Sequence, residues 1–336
     1  MAFTPPQTYT AYAFLERGGP LREIQVPWKN PEPGRVVVRV LADQVTKDQW
    51  FPTTVFPRVP GHEIIGDVVA IGQGETTWKV GDRVGAGWFA GYCKTCDRCR
   101  KGDFVTCRTM VGQANGVGTD GGYAEYATVR SESLAKIPTD IDPVEAAPLL
   151  CAGVTCFNAL RNMHAPIPSL VAIQGIGGLG HLAIQFSHRM GFRTVALSST
   201  ADKKELAMEL GADDFISGSA AEQATALKAM GGAHVILCTA PDPEGMSTLI
   251  DGLTFDGQFV VLPLVPKAIS VPILTMLSQR LSIRGWPYGT GMDCEDTVNF
   301  SKLHGIKAMV KTFPLNKSDE AYEHRSTARF RAVIIP

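Results

Sequence analysis

The sequence predicts an α/β protein of two domains, one β-rich and one built on a doubly wound parallel sheet. Three observations carry this. The chain has 336 residues, more than one ordinary hydrophobic core accommodates. Up to about residue 145 it breaks into short apolar or alternating runs separated by Gly and Pro, the pattern of strands. From about residue 152 strand-like and helix-like runs alternate, which calls for a parallel sheet covered by helices.

In the first region, residues 36–40, 64–71 and 83–87 read as strands. A cysteine-rich loop interrupts them, and GTDGGYAEYATV (118–129) resumes strand-like alternation. IPTDIDPVEAAPLL (137–150) is a proline-containing junction that leads into a helix. In the second region an apolar strand at 170–174 runs through a Gly-rich turn into a helix at 181–190. A strand at 194–197 precedes a helix at 203–210, and buried strands fit 235–238 and 258–262. After Trp286 the character is mixed, and the chain closes on a strand at 332–335.

Composition narrows the function. Hydrophobic residues make up 45% and charged residues 19%, a globular balance. The net charge of −1 gives no electrostatic case for nucleic acid or an anionic membrane surface. No apolar run reaches the length of about 18 residues that a membrane span needs. The N-terminal residues lack the basic-then-apolar order of a signal peptide. Eight cysteines without a secretion signal predict a reducing, cytoplasmic setting and metal binding rather than disulfides.

Cys93, Cys96, Cys99 and Cys107 follow the spacing C-x2-C-x2-C-x7-C. Four thiolates close a tetrahedron around Zn2+, and these spacings let one loop wrap the ion. The prediction is a closed, structural zinc site.

GIGGLG (Gly175, Ile176, Gly177, Gly178, Leu179, Gly180) follows a strand and opens a helix, the context in which G-x-G-x-x-G binds a dinucleotide. Gly175 permits the tight turn, Gly177 lets a pyrophosphate approach, and Gly180 allows close helix–strand packing. The helix N-terminus then faces the phosphates. The next strand ends in Ser198-Ser199-Thr200, with Lys203 and Lys204 beyond. Hydroxyls and ammonium groups suit a 2′-phosphate, and no carboxylate ends the strand to repel it, so NADP is expected ahead of NAD.

PGHE (60–63), the four-cysteine loop, LLCAGVT (149–155) and GIGGLG stand in an order that resembles the zinc-containing medium-chain alcohol dehydrogenases. The likeness is to fungal and bacterial members and to cinnamyl-alcohol-dehydrogenase-like enzymes, and it runs to the terminal ARFRAVI (328–334). It implies a GroES-like catalytic domain over 1–151, a Rossmann domain over 152–286 and a return to the catalytic domain over 287–336. It implies that His62 and Cys151 bind a catalytic zinc beside Glu63, a transient ligand. It places Thr155 against the nicotinamide, Trp88 and Phe89 in the substrate pocket, and Arg331 on the pyrophosphate. The implied substrate is a small alcohol or aldehyde. The implied assembly is a homo-oligomer, dimer or tetramer, joined through the last Rossmann strand at 281–285.

One departure stands out. The family carries a C-G-x-C-H-S-D segment shortly before PGHE, which supplies a zinc-ligand Cys, a proton-relaying Ser and an Asp that orients the ligand His. Here the stretch reads VLADQVTKDQW (40–50), and the first cysteine of the chain is Cys93. If the block is absent, Asp43 matches the orienting Asp. With no gap, Asp48 does, and Val45 and Lys47 replace the Cys and Ser. The gap is preferred, because the distance from Asp43 to PGHE then suits the family. His62, Cys151 and Glu63 still offer three donors, with Asp43 as a substitute, and Thr46 is the remaining candidate for the relay. Trp50 and Phe51 are further pocket candidates. The leading expectation is an NADP(H)-dependent zinc alcohol dehydrogenase. The alternatives are a zinc-independent reductase of activated C=C bonds on the same fold, or a cofactor-binding protein with impaired catalysis.

Overall fold

The computed structural model describes residues 3–44, 52–110, 113–324 and 330–336. Val45, Thr46, Lys47, Asp48, Trp50 and Phe51 lie outside the described residues. The chain divides into two compact units, Met1–Val154 with Tyr288–Pro336, and Thr155–Pro287.

The first unit opens with an antiparallel hairpin of β1 (Thr8–Phe14) and β2 (Leu21–Pro27). Next come β3 (Arg35–Gln44), β4 (Ile64–Ile71), β5 (Arg83–Ala86), β6 (Tyr126–Arg130) and β7 (Leu134–Lys136). β3 is the hub, antiparallel to both β4 and β6. Val36, Val38 and Val40 alternate along it and pack with Val68, Val84, Ala127 and Val129 into one core. β-branched side chains at every second position fit a half-buried pleated surface.

The expected strand at 118–129 begins only at Tyr126. The glycines ahead of it serve close approach instead of a ladder. A Cβ on Gly121 would lie 2.0 Å from the Gly61 carbonyl oxygen, and one on Gly122 would lie 2.9 Å from the Asp43 carboxyl carbon.

The second unit is a six-stranded, wholly parallel sheet of β8 (Leu170–Gln174), β9 (Arg193–Ser198), β10 (Asp214–Ser217), β11 (Ala233–Cys238), β12 (Leu253–Val261) and β13 (Ser282–Gly285). Its order is β10-β9-β8-β11-β12-β13, so the winding reverses between β8 and β11, the place where such sheets bind dinucleotides. Every residue of β8 is buried, as a central parallel strand covered on both faces must be.

The chain then returns to the first unit with β14 (Val310–Pro314) and β15 (Arg331–Ile335), a parallel pair. β15 joins β3 antiparallel, setting Ile334 opposite Asp43 and Val333 opposite Gln44. The C-terminal strand therefore lies beside the end of the strand that carries Asp43. No single helix among the described residues is long and apolar enough to cross a membrane.

Candidate functional site

In the first unit the site is organised around PGHE. Gly61 adopts φ +100, and a Cβ there would fall 1.7 Å from Asp43 Oδ2, so the turn needs glycine. Asp43 is fully buried, and its Oδ1 accepts the Glu63 N–H at 2.9 Å. Glu63 is also fully buried. Its Oε1 accepts the Ala152 N–H at 3.0 Å, and the Cys151 N–H also bonds to the carboxylate. Arg331 Nη2 donates to both Glu63 oxygens, at 2.8 and 2.9 Å. Burial pushes the Glu63 carboxyl up, and Arg331 and the backbone donors pull the other way without reversing it. The structure thus gathers Asp43, Cys151 and Arg331 around Glu63, Asp43 on its backbone N–H and Arg331 and the Cys151 N–H on its carboxylate. It places the Arg331 guanidinium on Glu63, a pairing the sequence reading did not foresee.

His62 is 4% exposed and meets Trp88 edge-on, ring centroids 4.6 Å apart. Burial, then the Arg331 charge, holds its pKa down to about 3, so the ring is neutral at pH 7. Its Nδ1 is buried and has no hydrogen-bond partner among the described residues. A neutral imidazole nitrogen of His62 without a hydrogen-bond partner among the described residues and the thiol of Cys151, which forms no disulfide, suit zinc, which takes N and S donors. The Glu63 carboxylate, expected as a transient ligand, is held by Arg331 and two N–H groups. Among the described residues, no second set of three His, Cys, Asp or Glu ligand atoms converges as the four-cysteine set does. The described residues therefore offer a catalytic zinc two ready donors, His62 and Cys151.

In the four-cysteine set all ligand sulfurs lie within 4.8 Å of one another. Cys93 Sγ and Cys99 Sγ are 3.9 Å apart, close to the edge of about 3.8 Å that a ZnS4 tetrahedron with Zn–S near 2.3 Å requires. Cys96 caps the short helix Asp97–Arg100, its sulfur accepting the Cys99 N–H at 3.5 Å. Cys93 Sγ accepts N–H groups of Thr95 at 3.4 Å and Cys96 at 3.3 Å. Hydrogen bonds from Thr109 and Thr95 pull the Cys93 thiol down to about 5, while burial and the neighbouring thiols push Cys99 up to about 12. Sulfurs this close ionise together only around a cation. The cluster is a structural zinc site.

Trp88, which meets His62 edge-on, also walls a cavity of about 380 Å³ together with Phe89, Phe104, Val105, Met110 and Tyr288; His62 and Cys151 are not among its described lining residues. Buried Asn115 fixes its rim, donating from Nδ2 to the carbonyls of Gly87 at 2.9 Å and Phe89 at 3.3 Å. Trp88 and Phe89 are where the resemblance put them. Tyr288 and Asn115 went unnoticed, since nothing in the sequence around either points to a pocket.

In the second unit, Gly175 turns the chain at φ +89, and a Cβ on Gly180 would sit 1.8 Å from the Gly175 carbonyl oxygen. Gly177 has open space where a Cβ would stand. The helix Gly180–Arg189 starts at Leu179 with no side-chain cap; its His181 and Leu182 N–H groups are taken up by the carbonyls of Gly177 and Leu179, and the helix N-terminus still presents its positive dipole end to an anion. His181 Nδ1 lies 3.0 Å from the Gly177 carbonyl oxygen and braces the turn. These features fit a dinucleotide pyrophosphate.

Ile176 is buried, and its carbonyl accepts Lys203 Nζ at 3.2 Å, so the lysine lies over the Gly-rich turn. Ser198 is buried, and its Oγ accepts the Thr200 N–H at 3.4 Å. Ser199 is exposed. The Thr200 hydroxyl bonds the carboxylate of Asp202, an acidic neighbour that the sequence reading passed over. Thr155 is buried in the helix Ala152–Arg161.

The alcohol dehydrogenase GroES-like domain family matches residues 32–139, and the zinc-binding dehydrogenase family matches residues 178–302. The chain is 44% identical over 341 residues to the alcohol dehydrogenase patD of Penicillium expansum, covering 99% of each. It is 40% identical over 336 residues to the alcohol dehydrogenase notN of an Aspergillus species, covering 98% of each. Among solved structures, a cinnamyl alcohol dehydrogenase of Sorghum bicolor matches with a TM-score of 0.85 at 27% identity, over 98% of this chain and 97% of that one.

Proposed function

The chain belongs to the zinc-type medium-chain alcohol dehydrogenases and is an oxidoreductase of alcohols and aldehydes, and from that premise we propose that it interconverts an alcohol and an aldehyde or ketone with NADP(H), assisted by zinc at His62 and Cys151. The observation that carries the zinc reading is the buried, unpartnered Nδ1 of a neutral His62, in the segment joined through Glu63 to Cys151.

When bound there, zinc would polarise a carbonyl oxygen or acidify an alcohol. The chain's own residues do the rest. Arg331 and the backbone N–H groups of Cys151 and Ala152 hold Glu63 beneath the site, and Asp43 holds the Glu63 N–H. Trp88, Phe89 and Tyr288 present apolar faces that exclude water from the substrate cavity. Gly175, Gly177, Gly178 and Gly180 hold the dinucleotide, with Thr155 against its nicotinamide. NADP is supported by the absence of a carboxylate at the end of β9 and by Lys203 over the turn, where an ammonium can meet a phosphate; Ser198 and Ser199 supply hydroxyls. The exposed edge strand β13, beside a helix with Ile273, Leu274 and Leu277 exposed, would pair with a second copy. Light scattering that gave a monomer mass would refute this.

Zinc per chain and cofactor titration test the reading. About two zinc ions per chain are expected, one structural and one catalytic. Loss of alcohol and aldehyde turnover is expected in both His62→Ala and Cys151→Ala. About one zinc per chain, with reduction of enones, would instead establish the zinc-independent reductase, which the shortage of a third donor among the described residues favours.

A further inference from the structure

The cavity walled by Trp88, the ring that meets His62, has a composition that selects. Its described walls carry no Asp, Glu, Lys or Arg, so it suits an uncharged substrate, since a buried unpaired charge is costly. At about 380 Å³ it falls within the ordinary range for small-molecule pockets. Its aromatic walls connect to the site through touching rings. Trp88 meets His62 at 4.6 Å and Tyr288 at 6.4 Å, and Tyr288 meets Phe89 at 6.3 Å. Behind them, Phe89 stacks with Tyr92 at 6.2 Å, and Tyr92 with Phe104 at 4.1 Å.

Tyr288 is the ring common to the Trp88 and Phe89 walls. It stands three residues after the end of β13, at the first residue of the chain's return to the first unit. Its hydroxyl donates to the Val105 carbonyl oxygen at 3.4 Å, long for an O–H···O bond. That bond is a loose tether, and the ring face is the stronger element. Aromatic faces prefer offset-stacked or edge-on aromatic partners, beyond what area burial alone supplies. A flexible alkyl chain against the same wall also loses more rotamer freedom.

We propose that Tyr288 is the specificity-determining residue of this cavity, its ring being the wall that favours uncharged aromatic or conjugated alcohols and aldehydes over straight-chain ones. The proposal rests on the alcohol–carbonyl reading above and adds the substrate class and the residue that sets it. Because the ring and not the hydroxyl carries the selection, Tyr288→Phe keeps it and Tyr288→Leu loses it.

The test compares kcat and KM for benzaldehyde and hexanal in the wild type, Tyr288→Phe and Tyr288→Leu. The wild type should prefer benzaldehyde, and Tyr288→Leu should lower that kcat/KM ratio about tenfold, mainly through KM for benzaldehyde. Tyr288→Phe should stay within about twofold of the wild type. An unchanged ratio in Tyr288→Leu, or an equal loss in Tyr288→Phe, overturns the proposal. A turnover-independent arm titrates benzamide and hexanamide against tryptophan fluorescence. Benzamide should bind more tightly to the wild type and lose that advantage in Tyr288→Leu. If no aldehyde is turned over yet this contrast holds, the catalytic reading fails and the proposal stands. If it is absent, the proposal fails by itself.

Discussion

Replacing Arg331 with Met leaves the Glu63 carboxylate buried without its cation. The methionine fills much of the arginine's volume, so the perturbation is chiefly electrostatic. Glu63 is fully buried, and two of its hydrogen bonds, at 2.8 and 2.9 Å, come from Arg331 Nη2. Breaking a buried pair from one side costs about 3–5 kcal/mol, because the remaining charge is uncompensated. Removing both charges costs much less, so Glu63→Gln/Arg331→Met should recover about 2 kcal/mol or more relative to Arg331→Met alone.

The sign of the pH dependence follows from the Glu63 shift. Burial already raises its pKa in the folded state, and loss of Arg331 raises it further. The folded state then binds the proton more readily than the unfolded chain. The Arg331→Met defect is therefore greatest above the folded pKa and shrinks as pH falls through it. Urea unfolding followed by tryptophan fluorescence reads this, since Trp28, Trp78 and Trp88 all lie in the first unit. A loss below about 1 kcal/mol, or a double variant no more stable than Arg331→Met, would refute the reasoning.

His62 gives an acid signature. Its ordinary pKa of 6.5 falls to about 3 on folding, so between those values only the unfolded chain carries the proton. Stability should fall as pH drops across that window, by up to about 1.4 kcal/mol per pH unit, and His62→Gln should flatten the slope in urea titrations at pH 4–6. NADPH should bind more tightly than NADH, and Ser198→Asp should invert the order by placing a carboxylate against the 2′-phosphate; equal affinities in the unmodified protein, by fluorescence titration, would count against this. Cys107→Ser should release the structural zinc on gel filtration and lower the thermal midpoint of the first unit. Gly180→Ala, whose Cβ would meet the Gly175 carbonyl oxygen at 1.8 Å, should weaken NADPH binding at least tenfold by lifting the helix from the strand.

What the sequence made legible was local. Runs such as Ile64–Ile71 and Leu170–Gln174 occur as strands with those bounds, because they are predominantly apolar and Gly72 and Gly175 follow directly on their last residues. The cysteine spacing and the Gly-rich turn could be read because each ligand set lies within one loop. What stayed hidden depends on residues far apart in the chain. Glu63 and Arg331 are 268 positions apart, and Tyr288 is 183 from Val105, so no window of periodicity contains either pair. The stretch 118–125 misled for another reason. Its alternation is genuine, but Gly121 and Gly122 are there for contact with Gly61 and Asp43, a tertiary demand that overrides strand formation. The β1–β2 hairpin escaped because β2 is largely exposed and carries little apolar signal.

The pairing of β15 with β3 sets an order of events during synthesis. The parallel-sheet unit is continuous in sequence, from Thr155 to Pro287, and every strand it needs is present once that stretch has left the ribosome. The first unit has no such freedom. Its strand β3 waits for Val333 and Ile334, made nearly three hundred residues later. At about 5–20 residues per second that delay lasts on the order of 15–60 s, during which β4 and β6 can already flank Val36–Arg39 while the Asp43–Gln44 end of β3 keeps an open edge. The later unit can therefore be complete while the earlier one is still unfinished. A nascent chain stalled between those points would expose that edge to other chains, so aggregation during expression should depend on elongation rate and on chaperones acting in that interval.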